Sequence, residues 1–415
     1  MTETTSTRSL PLDEVQAALR EKKFDGWLFY DHHHRDPLAY RILSLDPGMH
    51  VTRRWFYFIP AEGEPRKLVH RIEAGRLDTL PGTKTVYSSW QELEARLEAL
   101  TAGATKIAMQ YSPRNAIMYV SMVDAGTVEL VRSLGRQDKQ IVSSADLVSR
   151  FEAVLTDEQI ATHYAAQQKI DAILVAAWQE IASRVRGGAT HPLARGTQGF
   201  AGGTHEFQMV EFLSEAMRRE GLVWEHGPNV SAGPNSADSH YEPTPASSKP
   251  IRSSDFVLID LWARLDRPGS CYYDITWTGV VGREPTAKEQ AIFETVRNAR
   301  DAAIEAVKDA FAAQRPIAGW QADDAARAVI REAGYADWFT HRTGHNIGNE
   351  LHGNGANLDN LETHDERLIL PQTCFSVEPG LYFPGEFGVR SEVDIIARPG
   401  RAEVTGRVQT ELVRI

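Results

Sequence analysis

A chain of 415 residues, 42% hydrophobic and 24% charged, is long enough for two domains that each bury a core. Its net charge of −11 argues against nucleic acid or an anionic membrane as the main partner. Two cysteines, Cys271 and Cys374, without CxxC or zinc-finger spacing, argue against a disulfide framework. With no leader pattern at the N-terminus and no long apolar run, they lead us to expect a cytoplasmic protein.

Residues 1–154 alternate strands with helices and form an expected α/β domain. Strands are expected over Phe24–Tyr30, Arg54–Ile59 and Lys106–Met109, and amphipathic helices over Leu10–Lys22 and Trp90–Leu100. No glycine-rich phosphate loop accompanies them, which speaks against a nucleotide site. The loop DHHHRDPLAYR, residues 31–41, carries His32, His33 and His34. Adjacent side chains diverge along the chain, so these three do not converge on one metal.

The boundary is expected near Glu152–Thr156. Thr156-Asp157-Glu158-Gln159 is a capping box that opens a long helix, with apolar residues at 170, 173, 174, 177, 178 and 181. Helices are also expected over Glu206–Arg219, from a second capping box at Thr286–Glu289, and over Gln321–Ala333. Between them lies FVLIDLWARLDRPGSCYYDITWTGVVG, read as a hairpin: a strand from Phe256, a turn at Arg267–Ser270 and a return from Cys271 to Val281. Asp260 and Asp274 sit inside its apolar strands. An ionised Asp there costs several kcal/mol unless it is paired or holds a cation.

Downstream come His345 and His352 in a glycine-punctuated loop, then Glu378 at the end of the strand Phe375–Val377. Glu392 falls in an alternating strand expected over Gly388–Ile395. Asp260, Asp274, His345, Glu378 and Glu392 offer four carboxylates and one imidazole. Four negative charges balance two divalent ions, and this donor set suits Mn²⁺ first, with Co²⁺, Zn²⁺ or Fe²⁺ at similar geometry. Carboxylates can bridge two such ions at about 3.5 Å, the two-metal arrangement for hydrolysis.

The motifs VLIDL…YYDIT, HRTGHNIGNELH, SVEPGLY and GVRSEVD resemble those of the pita-bread-fold metallopeptidases, above all the Xaa-Pro dipeptidases (prolidases) and aminopeptidase P. The resemblance implies a creatinase/prolidase-like α/β N-terminal domain, 1–154, and an α+β pita-bread catalytic domain, 155–415. It also implies metal-dependent hydrolysis of the Xaa-Pro bond of dipeptides by a hydroxide bridging two divalent metals. Asp274 and Glu392 would bridge the ions, Asp260 would complete one shell, and His345 and Glu378 the other. Glu378 would shuttle the proton, His352 would donate to the oxyanion, and His240 would line the proline side. Arg390 and Tyr382 match family residues near the metals.

The sequence departs from the family in three places. Asp260 and Asp274 are more widely spaced than usual, Trp277 stands where an Arg is usual, and Gly353 stands where a Glu follows the second His. His364 and Arg367 are candidates for a substrate carboxylate. The family often closes its site with a partner's N-terminal domain, which implies a homodimer. Residues 31–41 are therefore a candidate lid, with His33, His34, Arg35 and Asp36, where Asp36 would receive the substrate amine and the basic residues its carboxylate. Two further readings stand beside this one: an aminopeptidase P acting on longer peptides, and a non-catalytic binding module on the same fold.

Overall fold

The structure is a computed structural model that describes residues 10–187 and 203–415, so the first nine residues of the stretch read for a leader lie outside it. The chain divides into two compact units, Met1–Glu152 and Ala153–Ile415.

In the first unit the order is α1 (Leu12–Lys22), β1 (Gly26–Asp31), α2 (Pro37–Ile42), β2 (Trp55–Pro60), β3 (Arg66–His70), β4 (Thr83–Tyr87), α3 (Trp90–Leu100), β5 (Lys106–Met109), α4 (Ala125–Ser133), β6 (Gln140–Ser143) and α5 (Ala145–Val148). The six strands form one sheet in the order β4-β3-β2-β1-β5-β6. Alternation sends Trp27, Phe29, Trp55 and Tyr57 into one core with α1 and α2. It sends Leu28, Tyr30, Phe56 and Phe58 into a second core with α3 and α4. A sheet covered on both faces needs apolar residues at every position, which is why β1 and β2 read as unbroken apolar runs. Each such side chain contributes about 1.5–3 kcal/mol on burial.

The second unit opens with α6 (Asp157–Val185), whose Thr156–Gln159 capping box is formed. It continues with β7 (Thr204–His205), α7 (Glu206–Arg219), β8 (Leu222–Val223), β9 (Asn229–Ala232), β10 (Pro250–Ile251), β11 (Phe256–Leu265), β12 (Tyr273–Val280), α8 (Ala287–Ala312), α9 (Gly319–Glu332), β13 (Asn346–Ile347), β14 (Cys374–Val377), β15 (Gly380–Phe383), β16 (Phe387–Arg390), β17 (Val393–Arg398), β18 (Arg401–Thr405) and β19 (Val413–Arg414). One sheet runs β19-β12-β11-β8, with β9 also on β11; another runs β13-β14-β17-β18; β15 and β16 form a separate hairpin. Val257, Ile259, Leu261 and Ile275 pack on α6 and α7, while Phe375, Val377, Val393 and Ile395 pack on α8 and α9. Each sheet therefore keeps one face free of helices, and that face carries the polar residues. The single strand expected over Gly388–Ile395 is two strands in different sheets: β16 ends at Arg390, and β17 starts at Val393. Among the described residues no helix is long and apolar enough to cross a membrane.

Candidate functional site

On the antiparallel pair β11–β12, Asp260 lies opposite Thr276 and Trp262 opposite Asp274. A period of two puts Asp260, Thr276 and Asp274 on one face, away from the helices. On β14, Ser376 faces Asp394 of β17. Two bonds stitch these polar faces together: Asp274 N–H donates to Asp394 Oδ2 (2.9 Å) and Glu392 N–H donates to the Thr276 carbonyl (3.2 Å). Glu392 occupies the break between β16 and β17, where the chain passes from one sheet to the other. His345 N–H donates to Ser376 Oγ (2.9 Å), and that hydroxyl donates to Glu378 Oε1 (3.0 Å).

One ligand atom from each of Asp274, His345 and Glu392 lies within 4.8 Å of the other two. His345 Nε2 is 3.4 Å from Glu378 Oε1 and 3.8 Å from Asp274 Oδ2. Its Nδ1 donates to the Asn346 carbonyl at 3.3 Å, which leaves Nε2 as a bare lone pair facing carboxylate oxygens. Asp274 Oδ1 and Glu392 Oε1 are buried without a hydrogen-bond partner. Burial, then neighbouring carboxylates, pushes the carboxyls of Asp274 and Glu392 well above their ordinary range. Burial likewise lowers His345 to about 3. A bare imidazole nitrogen and orphaned carboxylate oxygens turned toward one another are costly by themselves and fit divalent cations.

Asp260 adjoins this group but is engaged otherwise. Its Oδ2 pairs with Arg390 Nη2, and its Oδ1 accepts from Thr276 Oγ1 (2.9 Å). Arg390 Nε also donates to Thr276 Oγ1 (3.0 Å). Tyr382 Oη lies 3.4 Å from Arg390 Nη1 and 2.8 Å from His341 Nε2, and burial pushes its phenol up to about 12. The His352 ring stands edge-on to His345, centroids 4.4 Å apart, and is held in its neutral form chiefly by that neighbour. His240 is exposed, close enough for its charge to act on Asp260 and His352. Its loop is anchored by Glu206, buried at 0% exposure, which accepts from Ala232 N, Lys249 N, Tyr241 Oη and Asn235 Nδ2.

Other sequence candidates are placed elsewhere. Arg367 is buried, with its guanidinium forked onto Asp365 and its Nη1 on the Asn354 carbonyl (2.9 Å), so its charge is already compensated and faces no open space. His364 is exposed; its Nδ1 lies 2.6 Å from Asn360 Oδ1, and its ring lies near Trp320. In the first unit Asp36 does not present a carboxylate to solvent. It is 1% exposed and caps α2 by accepting from Ala39 N–H (3.0 Å). Arg35, His33 and His34 are exposed. His33 and His34 both have left-handed backbones, φ 64° and 56°, held by Asp31, which accepts from the amides of His34, Arg35 and Asp36 and from Tyr40 Oη.

Thr276, Ser376, His341, Asp394 and Asp31 were not singled out from the sequence. Thr276 had a signal, lying two residues beyond Asp274 on the same strand face, whereas Asp394 lies two residues beyond Glu392 but across the break that precedes β17. Gly353 has a packing reason, since a Cβ there would lie 2.3 Å from Asn346 Oδ1, and that side chain holds Gly355 N–H and the Cys374 carbonyl.

A family model described as Metallopeptidase family M24 matches residues 163–399. A Mycobacterium tuberculosis protein named "Probable dipeptidase PepE" is 32% identical over 211 residues, 51% of this chain and 52% of that protein. The Xaa-Pro dipeptidase of Lactobacillus delbrueckii subsp. lactis is 36% identical over 163 residues, 39% of this chain and 40% of the relative. The matches thus span about half the length of these curated relatives, or less. The crystal structure of dipeptidase PepE from Mycobacterium ulcerans superposes with a TM-score of 0.68 at 21% identity, covering 97% of this chain and 96% of that one, which shows a common fold.

Proposed function

Because the chain belongs to metallopeptidase family M24, we propose that it hydrolyses dipeptides with proline in second position. The observation that carries a metal-dependent hydrolysis is the buried meeting of Asp274, His345 and Glu392, with carboxylate oxygens that no protein donor satisfies. The proline and dipeptide parts of the reading draw on relatives named Xaa-Pro dipeptidase.

Asp274, Glu392, His345, Glu378 and Asp260 would hold two divalent ions, with Asp260 sharing its charge with Arg390. When bound, the ions supply Lewis acidity and a water that ionises near neutral pH. The four carboxylates and single imidazole suit Mn²⁺ best. Glu378, the most accessible of the acids, takes the proton of the attacking water and delivers it to the departing proline nitrogen. His352, neutral beside His345, carries an N–H for the oxygen that becomes negative in the tetrahedral species. Arg390 keeps Thr276 and Asp260 in register, and Tyr382 closes the network toward His341.

The test is product analysis of Ala-Pro and of a tripeptide Ala-Pro-Xaa with Mn²⁺ added. Cleavage of the dipeptide alone is expected. Faster cleavage of the tripeptide would replace the proposal with an aminopeptidase, and cleavage of neither, with no bound transition metal, would end it.

A further inference from the structure

Beyond Asp260 the strand β11 runs on to Leu265, and its alternation holds. Leu261 and Ala263 point into the core with α6 and α7, so Trp262 and Arg264 share the helix-free face with Asp260. Trp262 stands directly opposite Asp274, and Arg264 follows about 7 Å further along the strand. Two extended residues span about that distance, so a dipeptide with its scissile bond at Asp274 has the length to reach Arg264.

Both side chains are held from below. Trp262 is half-buried against a cluster that includes Leu155, Tyr272 and Ile347. The Arg264 guanidinium lies over the Tyr272 ring, 5.5 Å from its centroid, and that ring is itself buried. Stacking on an aromatic face fixes a guanidinium and leaves the N–H groups at its edge for a planar acceptor. Those groups are barely used. Among the described residues one of the five donors makes a bond, Nη1 to the Leu265 carbonyl at 3.4 Å, and Nε is buried with no acceptor. Glu225 and Glu350 act on the Tyr272 phenol, but neither forms an ion pair with Arg264. Arg390 and Arg367 differ in this respect, since each already has its own acid, Asp260 and Asp365.

We propose that Arg264 receives a carboxylate of the substrate, with Trp262 as the apolar plate between it and the metal ligands. The assignment rests on the dipeptidase reading and adds the anchor that Arg367 and His364 do not supply. A guanidinium without an acid of its own suits a bidentate, charge-assisted pair. In a dipeptide that carboxylate is either the C-terminus of the proline or the side chain of an acidic first residue. Arg264 bonds to no candidate metal ligand, so its effect falls on substrate affinity and leaves the chemical step alone.

Steady-state kinetics with Mn²⁺ on Ala-Pro, Ala-Pro amide, Gln-Pro and Glu-Pro test this. Arg264→Met is expected to raise KM about 10–100-fold with kcat little changed, the usual size of a lost charged hydrogen bond. Arg264→Lys should recover part of the affinity. A loss for the three free dipeptides that spares the amide assigns Arg264 to the C-terminal carboxylate. A loss confined to Glu-Pro assigns it to the acidic side chain. Unchanged KM for all four, or an equal loss that includes the amide, overturns the proposal while leaving the dipeptidase reading intact. Wild-type protein that carries metal by elemental analysis yet cleaves none of the four ends that reading, and the anchor with it. Should Arg264→Met not fold, the wild type decides: no preference for Ala-Pro over its amide, nor for Glu-Pro over Gln-Pro, overturns the proposal.

Discussion

Thr276 shows how much of the site depends on a side chain that binds nothing itself. Its hydroxyl accepts from Arg390 Nε and lies 2.9 Å from Asp260 Oδ1 and 2.7 Å from Glu392 Oε2, so it spaces two acids that would otherwise repel. Thr276→Val keeps the shape and removes the bridge. Metal affinity is expected to fall about 10–100-fold, the usual cost of losing an outer partner, with the melting curve of the metal-free form little changed. Competition with a chromophoric chelator measures it, and unaltered affinity would show that the hydroxyl only fills space. Asp36 gives a different prediction. Burial raises its carboxyl to about 7, while the unfolded chain keeps it near 4. Between those values the folded form holds a proton that the unfolded form has released, so stability falls as pH rises from about 4 to 7. Asp36→Asn retains a good helix cap without the buried charge, and should raise the melting temperature at pH 7 while flattening its pH slope. Asp36→Ala loses the cap and gives back about 1 kcal/mol of that gain. Neither change should alter dipeptide kinetics, because the carboxylate is turned inward.

At the scale of elements, the ligands are delivered where strands end or break, and close backbone approach fixes those points. Gly344 precedes His345 and exchanges backbone bonds with Leu358, and a Cβ on it would lie 1.9 Å from the Ser376 carbonyl. Gly344→Ala must therefore push the loop off β14 and carry the imidazole with it. The expected result is a protein with normal circular dichroism that retains less metal after dialysis and has a kcat/KM at least about tenfold lower, since a displacement near 1 Å can cost more than that. Full metal retention with full activity would mean that the loop tolerates the shift. The alternating pattern 388–395 was legible as strand, but the break at Ser391–Glu392 was not. Its cause is pairing: Arg390 lies opposite Gly380 in the β15–β16 hairpin, whereas Val393 lies opposite Val377 in another sheet. Periodicity within one segment carries no information about which partner each residue will find.

For the whole molecule, what could be read from the sequence was decided by the cost of charge in an apolar setting. Asp260 and Asp274 stood out because an acid inside an apolar strand needs a reason, and the structure places both on the helix-free face. Arg367 misled for the converse reason: its partner Asp365 lies only two residues away and leaves no periodic trace. The same cost governs the response to metal removal. Without cations, burial and mutual repulsion raise the carboxyls of Asp274, Glu392 and Asp394 well above their ordinary values. The metal-free protein then holds protons that its unfolded chain has lost, so its stability falls as pH climbs from about 4. Cations reverse the sign at Asp274 and Glu392, since they bind the ionised acids and protons compete with them. The melting temperatures with and without metal should therefore lie close together near pH 5 and separate toward pH 8. Metal in hundredfold excess over its Kd adds about 2.7 kcal/mol, a rise of a few degrees. Calorimetry across that range, with and without a chelator, measures the gap, and a gap that stays constant or closes with rising pH would mean that these buried acids do not hold the ions.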